Sequence, residues 1–270
     1  MFSKNEQKFI CQSCGSCCSK IRGRLSKEER EFLKEYAYGK MPLIQLIPLE
    51  KTSFPLWDWE AKRFREYERE LNIDAKIKPS RAVYDLNTNK AIIVTYYMDY
   101  DSCPFLKDKR CQIYDKKRAY ICKLFPMQRS PFLNIQEEAK PNEIVINCPG
   151  SAGFIEKIPY KFKDMVKALH EALGDTFLNS VENDFITEWV NKTIVDICKK
   201  YNIVRPAVNY PYNNLLKRID ASEKIDFTEF LVENKIYTKE EMDELIRRFD
   251  NCDNAKEKMK EFLNNKIPLV

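Results

Sequence analysis

Cys11-Gln12-Ser13-Cys14-Gly15-Ser16-Cys17-Cys18 places four of the chain's ten cysteines within eight positions. They are answered much later by Cys103, Cys111, Cys122 and Cys148. The first group spaces as Cys-x2-Cys-x2-Cys-Cys and the second as Cys-x7-Cys-x10-Cys-x25-Cys. Two-residue spacings let one turn present two sulfurs to a single centre, and Gly15 with its flanking serines favours tight turns over helix. These eight thiols are the candidate metal ligands, and the rest of the chain is expected to bring the two groups together. All-thiolate coordination suits zinc or an iron–sulfur cluster, and neither sulfur softness nor geometry separates the two.

Cys17 and Cys18 are adjacent, so their side chains set out in different directions. The expectation is that they reach different irons of one cluster, or two neighbouring centres, more easily than one ion. Eight thiolates are enough for two closed four-ligand sites, or for one cluster plus one zinc. Zinc with four thiolates is doubly negative, so backbone amides and basic side chains should donate to the sulfurs. Lys107, Lys109, Arg110, Lys116, Lys117, Arg118 and Lys123 supply that charge. Arg118, four residues before Cys122, and Lys123, directly after it, are the candidate cofactor-binding residues; a solvated basic face is the plainer alternative for the rest. A loop-fixing metal staple and a disulfide framework compete with a redox or catalytic centre for the whole constellation.

Composition narrows the class. Hydrophobic residues at 44% and charged residues at 32% suit a globular chain with a real core. The net charge of +5 arises from 46 basic and 41 acidic residues, which is a mixed surface and not the clustered field of a dedicated nucleic-acid binder. The first residues contain no apolar stretch resembling a secretory signal, and no run approaches the ~18 apolar residues that span a bilayer. A cytoplasmic chain without membrane contact is expected, where clustered cysteines are more often metal ligands than disulfides.

Periodicity gives the elements. Ser26 and Glu29 form a capping box ahead of a helix over Glu29–Tyr38 that Gly39 ends. Met41–Trp59, with Pro42, Pro48 and Pro55, reads as ordered loop or short extended pieces, with Trp57 and Trp59 covering core in preference to lining a pocket. Glu60–Leu71 is helix-forming. Arg81–Leu86 and Ala91–Met98 are β-rich and joined by Asn87-Thr88-Asn89-Lys90, a hairpin signal. The second strand leads to Cys103; Cys111 and Cys122 follow in a loop and a short helical stretch. Glu143–Ile146 is expected to be one more strand delivering Cys148. Beyond residue 155, Phe162–Leu173, Asp175–Tyr201 and Thr238–Asn264 read as helices, the last opened by a Thr238/Glu241 capping box. Cys198 and Cys252 stand alone in this helical half and read as ordinary buried thiols.

The cysteine residues also carry a resemblance. Cys-x2-Cys-Gly-x-Cys-Cys at Cys11–Cys18, Cys103-Pro104-Phe105-Leu106, Cys111-Gln112-Ile113-Tyr114, Arg118 with Cys122-x2-Phe125-Pro126, and Cys148-Pro149-Gly150 resemble the YkgJ-type cysteine-cluster family over about residues 8–155. The resemblance implies eight cysteine ligands and an iron or zinc centre. A related flagellin lysine N-methylase has a similar cluster, which implies that the module can accompany protein modification. The family pattern has Arg-Pro before the third cysteine of the second group; here it is Arg118-Ala119, a change that removes no ligand.

Other chemistries are less well supported. Six glycines include no G-x-G-x-x-G loop, and the Cys-x3-Cys-x2-Cys pattern of radical-SAM enzymes is absent. His170, the one histidine, has no motif around it and reads as a helix residue. Asp99 and Asp101 are expected to shape the turn into Cys103. A basic run from Lys107 to Arg129 with Tyr114, Tyr120 and Phe125 interleaved is the argument for nucleic acid, which is not favoured because those aromatics lie among the candidate ligands.

The expectation is an α+β protein: a cysteine-cluster module over residues 1–155 with a small antiparallel sheet, and a helical region over 156–270 packed on it. The leading function is an iron–sulfur protein (4Fe–4S) with a redox or enzymatic role, acting on a protein substrate or with a redox partner. The alternative is a structural zinc protein acting as an interaction module.

Overall fold

The computed structural model describes residues 9, 11, 12, 14–22, 31, 38–128, 130–132, 144–146, 148–151 and 155–264. The Asn87–Lys90 turn organises its sheet. Asp85 accepts from the backbone N–H of Asn87 and Thr88 and from the Thr88 hydroxyl, and Asn89 takes a left-handed φ of 56°. An acidic side chain that satisfies its own turn explains why the chain reverses there. β3 (Ile77–Asp85) and β4 (Lys90–Met98) pair antiparallel across it, bearing out the expected hairpin with longer arms.

Two compact units divide the chain, and each draws on separated stretches of sequence. One, the sheet unit, comprises Gly15–Lys117 and Val190–Glu244. β1 (Leu43–Gln45) pairs with β3, and β2 (Pro55–Trp57) with the C-terminal half of β4. β7 (Lys224–Asp226) runs parallel to the N-terminal half of β4, so the fifth strand comes from the part of the sequence expected to be helical. A three-residue strand carries too little alternation to be seen in a sequence. α1 (Asp58–Leu71) covers the sheet with Trp59, Ala61 and Phe64 buried, and Trp59 stacks on Trp57 at 5.7 Å, core cover as expected. α5 (Tyr212–Ala221) and α6 (Phe227–Glu233) also belong here. Asp58, at the start of α1, is fully buried and accepts from the Thr228 backbone N–H and hydroxyl.

The other, the helix unit, comprises Met1–Cys14, Arg118–Trp189 and Leu245–Val270. It contains α2 (Tyr120–Leu124), α3 (Phe162–Leu173), most of α4 (Asp175–Lys199), the end of α7 (Lys239–Asp250) and α8 (Asp253–Leu263), and α3, α4 and α8 contribute to an apolar core. Met127, Ile144, Val145, Leu169, Phe177 and Phe262 are among its members. Thr238 and Glu241 cap α7 reciprocally, as expected. The single helix expected over Thr238–Asn264 is instead two. Cys252 adopts a left-handed φ of 56°, and buried Glu182 from α4 caps the new start by accepting from Asn254 and the Ala255 N–H. Among the described residues, the stretch expected as a strand at Glu143–Ile146 shows one bridge, between Val145 and Met127; Glu143 lies outside them. Pro126, beside that bridge, has no N–H with which to extend a ladder.

The secondary structure is α+β. The expected helix over Glu29–Tyr38 and its Ser26/Glu29 capping box lie outside the described residues, apart from Glu31 and Tyr38. Among the described residues no helix is long and apolar enough to cross a membrane.

Candidate metal centre

In the sheet unit, the turn that begins at Gly15 brings in the first thiols. Cys18 and Ser19 both donate their backbone N–H to the Gly15 carbonyl at 2.9 Å, closing the turn, and Gly15 sits at φ +73°. A Cβ there would lie 2.9 Å from Leu106 Cδ1 and 3.3 Å from the Lys109 carbonyl, so glycine is required twice over, by conformation and by space. Leu106 and Lys109 belong to a small hairpin formed by β5 (Leu106–Lys107) and β6 (Arg110–Cys111). Its two-residue turn, Asp108-Lys109, has positive φ at both positions, the geometry that suits a tight antiparallel reversal.

Cys103 is joined to this turn directly: its N–H donates to the Cys18 carbonyl at 2.7 Å. Ile21 N–H donates to the Asp101 carbonyl, and Arg22 pairs with Asp99 and Asp101, so the two carboxylates do shape the entry to Cys103. Phe105, fully buried, meets Phe64 of α1 edge-on at 5.5 Å and fixes the loop to the core. Sequence reasoning missed Phe105 as a positioning residue; the apolar Pro104-Phe105-Leu106 run between charged stretches was the available signal.

Cys17 Sγ and Cys18 Sγ stand 3.7 Å apart. Adjacent residues have therefore turned their sulfurs to the same side, contrary to the expectation that they diverge; the turn closed on the Gly15 carbonyl is the cause. Burial pushes the Cys103 thiol up to about 11. The backbone N–H groups of Phe105 and Leu106 oppose that shift, and the neighbouring Cys111 and Cys17 thiols reinforce it. The Cys103 thiol thus lies near enough to Cys17 and Cys111 to sense their charge.

In the helix unit the candidate ligand thiols are Cys11, Cys14, Cys122 and Cys148. The Phe9 N–H donates to the Ala172 carbonyl of α3 at 2.7 Å, and Gln12 Nε2 reaches the Pro149 carbonyl at 3.5 Å. Cys122 lies in the first turn of α2, with its N–H on the Ala119 carbonyl. The chain beyond α2 returns beside the approach to Cys148 through the Met127–Val145 bridge. Ser151, fully buried, closes the turn after Cys148: its hydroxyl accepts from the Cys148 N–H and donates to the Ile146 carbonyl, both at 2.9 Å. Cys11 and Cys14 are exposed, whereas Cys122 and Cys148 are half-buried.

Lys107, Lys109 and Arg110 are exposed on the β5–β6 hairpin, and Arg118 is half-buried. Lys123 sits over the Tyr120 ring at 4.3 Å. Lys116 is engaged by Glu70 and lies over the Tyr67 ring at 4.8 Å. His170 packs edge-on against Phe177 at 5.6 Å, and burial holds its imidazole below the ordinary value. Cys252 is buried, as expected, and donates to Asn179 Oδ1 at 3.4 Å; Cys198, expected to be buried too, is half-buried. Burial pushes both thiols up to about 11. Among the described residues, no three His, Cys, Asp or Glu side chains already converge tightly enough to enclose an ion. The donor chemistry nonetheless fits zinc or iron: four candidate thiols in each unit, with backbone N–H donors beside one and cationic side chains flanking others.

The CxxCxxCC family model, described as a "putative zinc- or iron-chelating domain", matches residues 10–144. The chain belongs to the CxxCxxCC family. The matched stretch holds seven of the eight candidate ligands and stops short of Cys148. No curated protein and no solved structure matches the chain. Membership agrees with the resemblance drawn from the cysteine motifs, and chelation of zinc or iron is the property that the CxxCxxCC description attaches to this domain.

Proposed function

We propose that this CxxCxxCC chain is a thiolate metal protein whose ligands are Cys11, Cys14, Cys17, Cys18, Cys103, Cys111, Cys122 and Cys148, and that the ion at Cys17 and Cys18 is mononuclear. One observation carries the second part. A tetrahedral ion with metal–sulfur bonds of about 2.3 Å sets its sulfurs about 3.8 Å apart. The Cys17–Cys18 separation of 3.7 Å fits that edge. In an iron–sulfur cubane each cysteine binds a different iron, and the cysteine sulfurs stand much farther apart; a two-iron cluster, with two thiolates on each iron, keeps the short edge and is told from a single ion by its sulfide.

A bound ion supplies Lewis acidity and a crosslink between distant segments. The chain's own residues do the positioning. Gly15 turns the paired thiols to one side, Phe105 anchors the Cys103 loop, and the Phe105 and Leu106 N–H groups support a thiolate at Cys103. Lys107, Lys109 and Arg110 stand in sequence beside Cys111, and Arg118 and Lys123 beside Cys122, as charges to offset the anionic centre. In this form the metal is a staple that holds the N-terminal segment to the loop region.

A second reading keeps an iron–sulfur cluster with a redox or enzymatic role, served by a redox partner or a protein substrate. The exposure of Cys11 and Cys14 favours it, because electrons pass most readily to a centre near the surface. Anaerobic purification followed by metal and acid-labile sulfide analysis separates the two. Zinc or iron without sulfide is expected. Iron with matching sulfide and a brown colour overturns the mononuclear assignment, and a metal-free protein overturns both.

A further inference from the structure

Resting on the metal–thiolate reading above, we infer that the eight cysteines form two independent four-sulfur centres, Cys17/Cys18/Cys103/Cys111 and Cys11/Cys14/Cys122/Cys148. The division does not follow the sequence groups. It cuts the first cluster between Cys14 and Cys17 and the second between Cys111 and Cys122, and both cuts coincide with the borders of the compact units at Cys14/Gly15 and Lys117/Arg118.

Each set is tied together by its own contacts. In the first, Cys103 N–H bonds the Cys18 carbonyl, the Gly15 turn lies against Leu106 and Lys109 of the hairpin that carries Cys111, and the Cys17 and Cys18 sulfurs already span a tetrahedral edge. Two more sulfurs complete one tetrahedron, and Cys103 and Cys111 sit on the two segments bonded to or packed against this turn. In the second, Gln12, between Cys11 and Cys14, reaches the carbonyl next to Cys148. The Met127–Val145 bridge brings the chain leaving Cys122 alongside the chain entering Cys148. Gly15 makes the split possible: its left-handed backbone redirects the chain between the second and third cysteines. When ions bind, the sulfurs of each set close on their own centre with loss of the thiol protons, four per closed site.

The test uses the full chain, purified without oxygen, with zinc, iron and sulfide measured per chain in wild type, C18A, C122A and the double variant. Each single variant is expected to keep about half of the wild-type metal, and the double variant none. A single variant that loses all the metal, or none of it, overturns the two-centre division while the metal–thiolate reading stands. A wild type without metal overturns both. Because a variant can fail to fold, the reduced, metal-free wild type is also titrated with cobalt(II), whose thiolate charge-transfer absorption reports tetrahedral sulfur coordination. A rise that ends at two cobalt per chain is expected. An end at one overturns the division, and no charge-transfer band overturns thiolate binding itself.

Discussion

The two sulfur sets are made from different materials. The Cys17/Cys18/Cys103/Cys111 set is held by a closed turn, a two-residue hairpin and a buried phenylalanine, all satisfied by backbone and core. The Cys11/Cys14/Cys122/Cys148 set depends on a five-residue helix, one β-bridge, one serine hydroxyl and a long glutamine contact, and two of its thiols are exposed. The backbone around the first is the better fixed, so under the two-centre proposal an ion there has less ordering to do and an ion at the second has more.

That difference can be broken first at the ligands. Cys103→Ala removes a buried proposed ligand beside core and is expected to weaken metal binding at its set by more than about 100-fold, beyond what loss of an outer-shell partner costs. Cys148→Ala should empty the other set with a smaller fall in melting temperature. Metal analysis and thermal unfolding check both, and a larger fall for Cys148→Ala would reverse the ranking.

Each unit also carries a buried acid with which to sharpen the contrast. Burial pushes Asp58 up to about 7, against the hydrogen bonds from Thr228, and pushes Asp184 to about 7, against the Ser130 hydroxyl. Between the ordinary carboxylate range and about pH 7 the folded chain keeps protons that the unfolded chain has lost, so stability falls as pH rises through that window. For fully buried Asp58 the whole window is worth roughly 4 kcal/mol. Asp58→Asn should therefore flatten the loss of stability between pH 5 and pH 8 by about 2–3 kcal/mol. Asp184→Asn, at a less buried position, should flatten it less. Denaturant titration at both pH values measures it, and a wild type equally stable at the two would sink the assignment.

How much was legible beforehand follows the physics of each segment. The β3–β4 hairpin, the Thr238/Glu241 cap and the helix at Phe162–Leu173 rest on local signals, turn chemistry and periodicity, and are present as expected. The break at Cys252 depends on Glu182, 70 residues earlier in the sequence, and no local pattern announces it. At the candidate centre the cysteines themselves were legible, and the CxxCxxCC match covers all but the last. The common side taken by Cys17 and Cys18 was not, because adjacency alone argues for divergence and the reversal depends on a turn sealed at Gly15. Ser151, in Cys-Pro-Gly-Ser, escaped notice because a serine after a turn is ordinary until its burial is known.

Smaller effects test those positioning residues. Gly15→Ala forces a left-handed alanine, worth about 1–2 kcal/mol before the contact with Leu106 is counted, and should lower metal at the Cys17 set alone. Ser151→Ala leaves the Cys148 N–H and Ile146 carbonyl without their partner at a cost of about 1–3 kcal/mol, and should lower metal at the Cys148 set alone. Crossed effects in metal titrations would mean that the sets are coupled. Lys116→Ala, which removes an exposed pair with Glu70, should change stability by less than about 1 kcal/mol. Neutralising Lys116, Lys117 and Arg118 together should leave nucleic-acid binding at its low-salt background; a salt-dependent affinity that these changes abolish would restore the interaction-module alternative.

X-ray absorption at the metal edge of the anaerobically purified chain tests the central claim most directly. The account predicts a first shell of four sulfurs at about 2.3 Å with no metal neighbour behind it. A shell of nitrogen or oxygen donors, or strong metal–metal scattering, would contradict it.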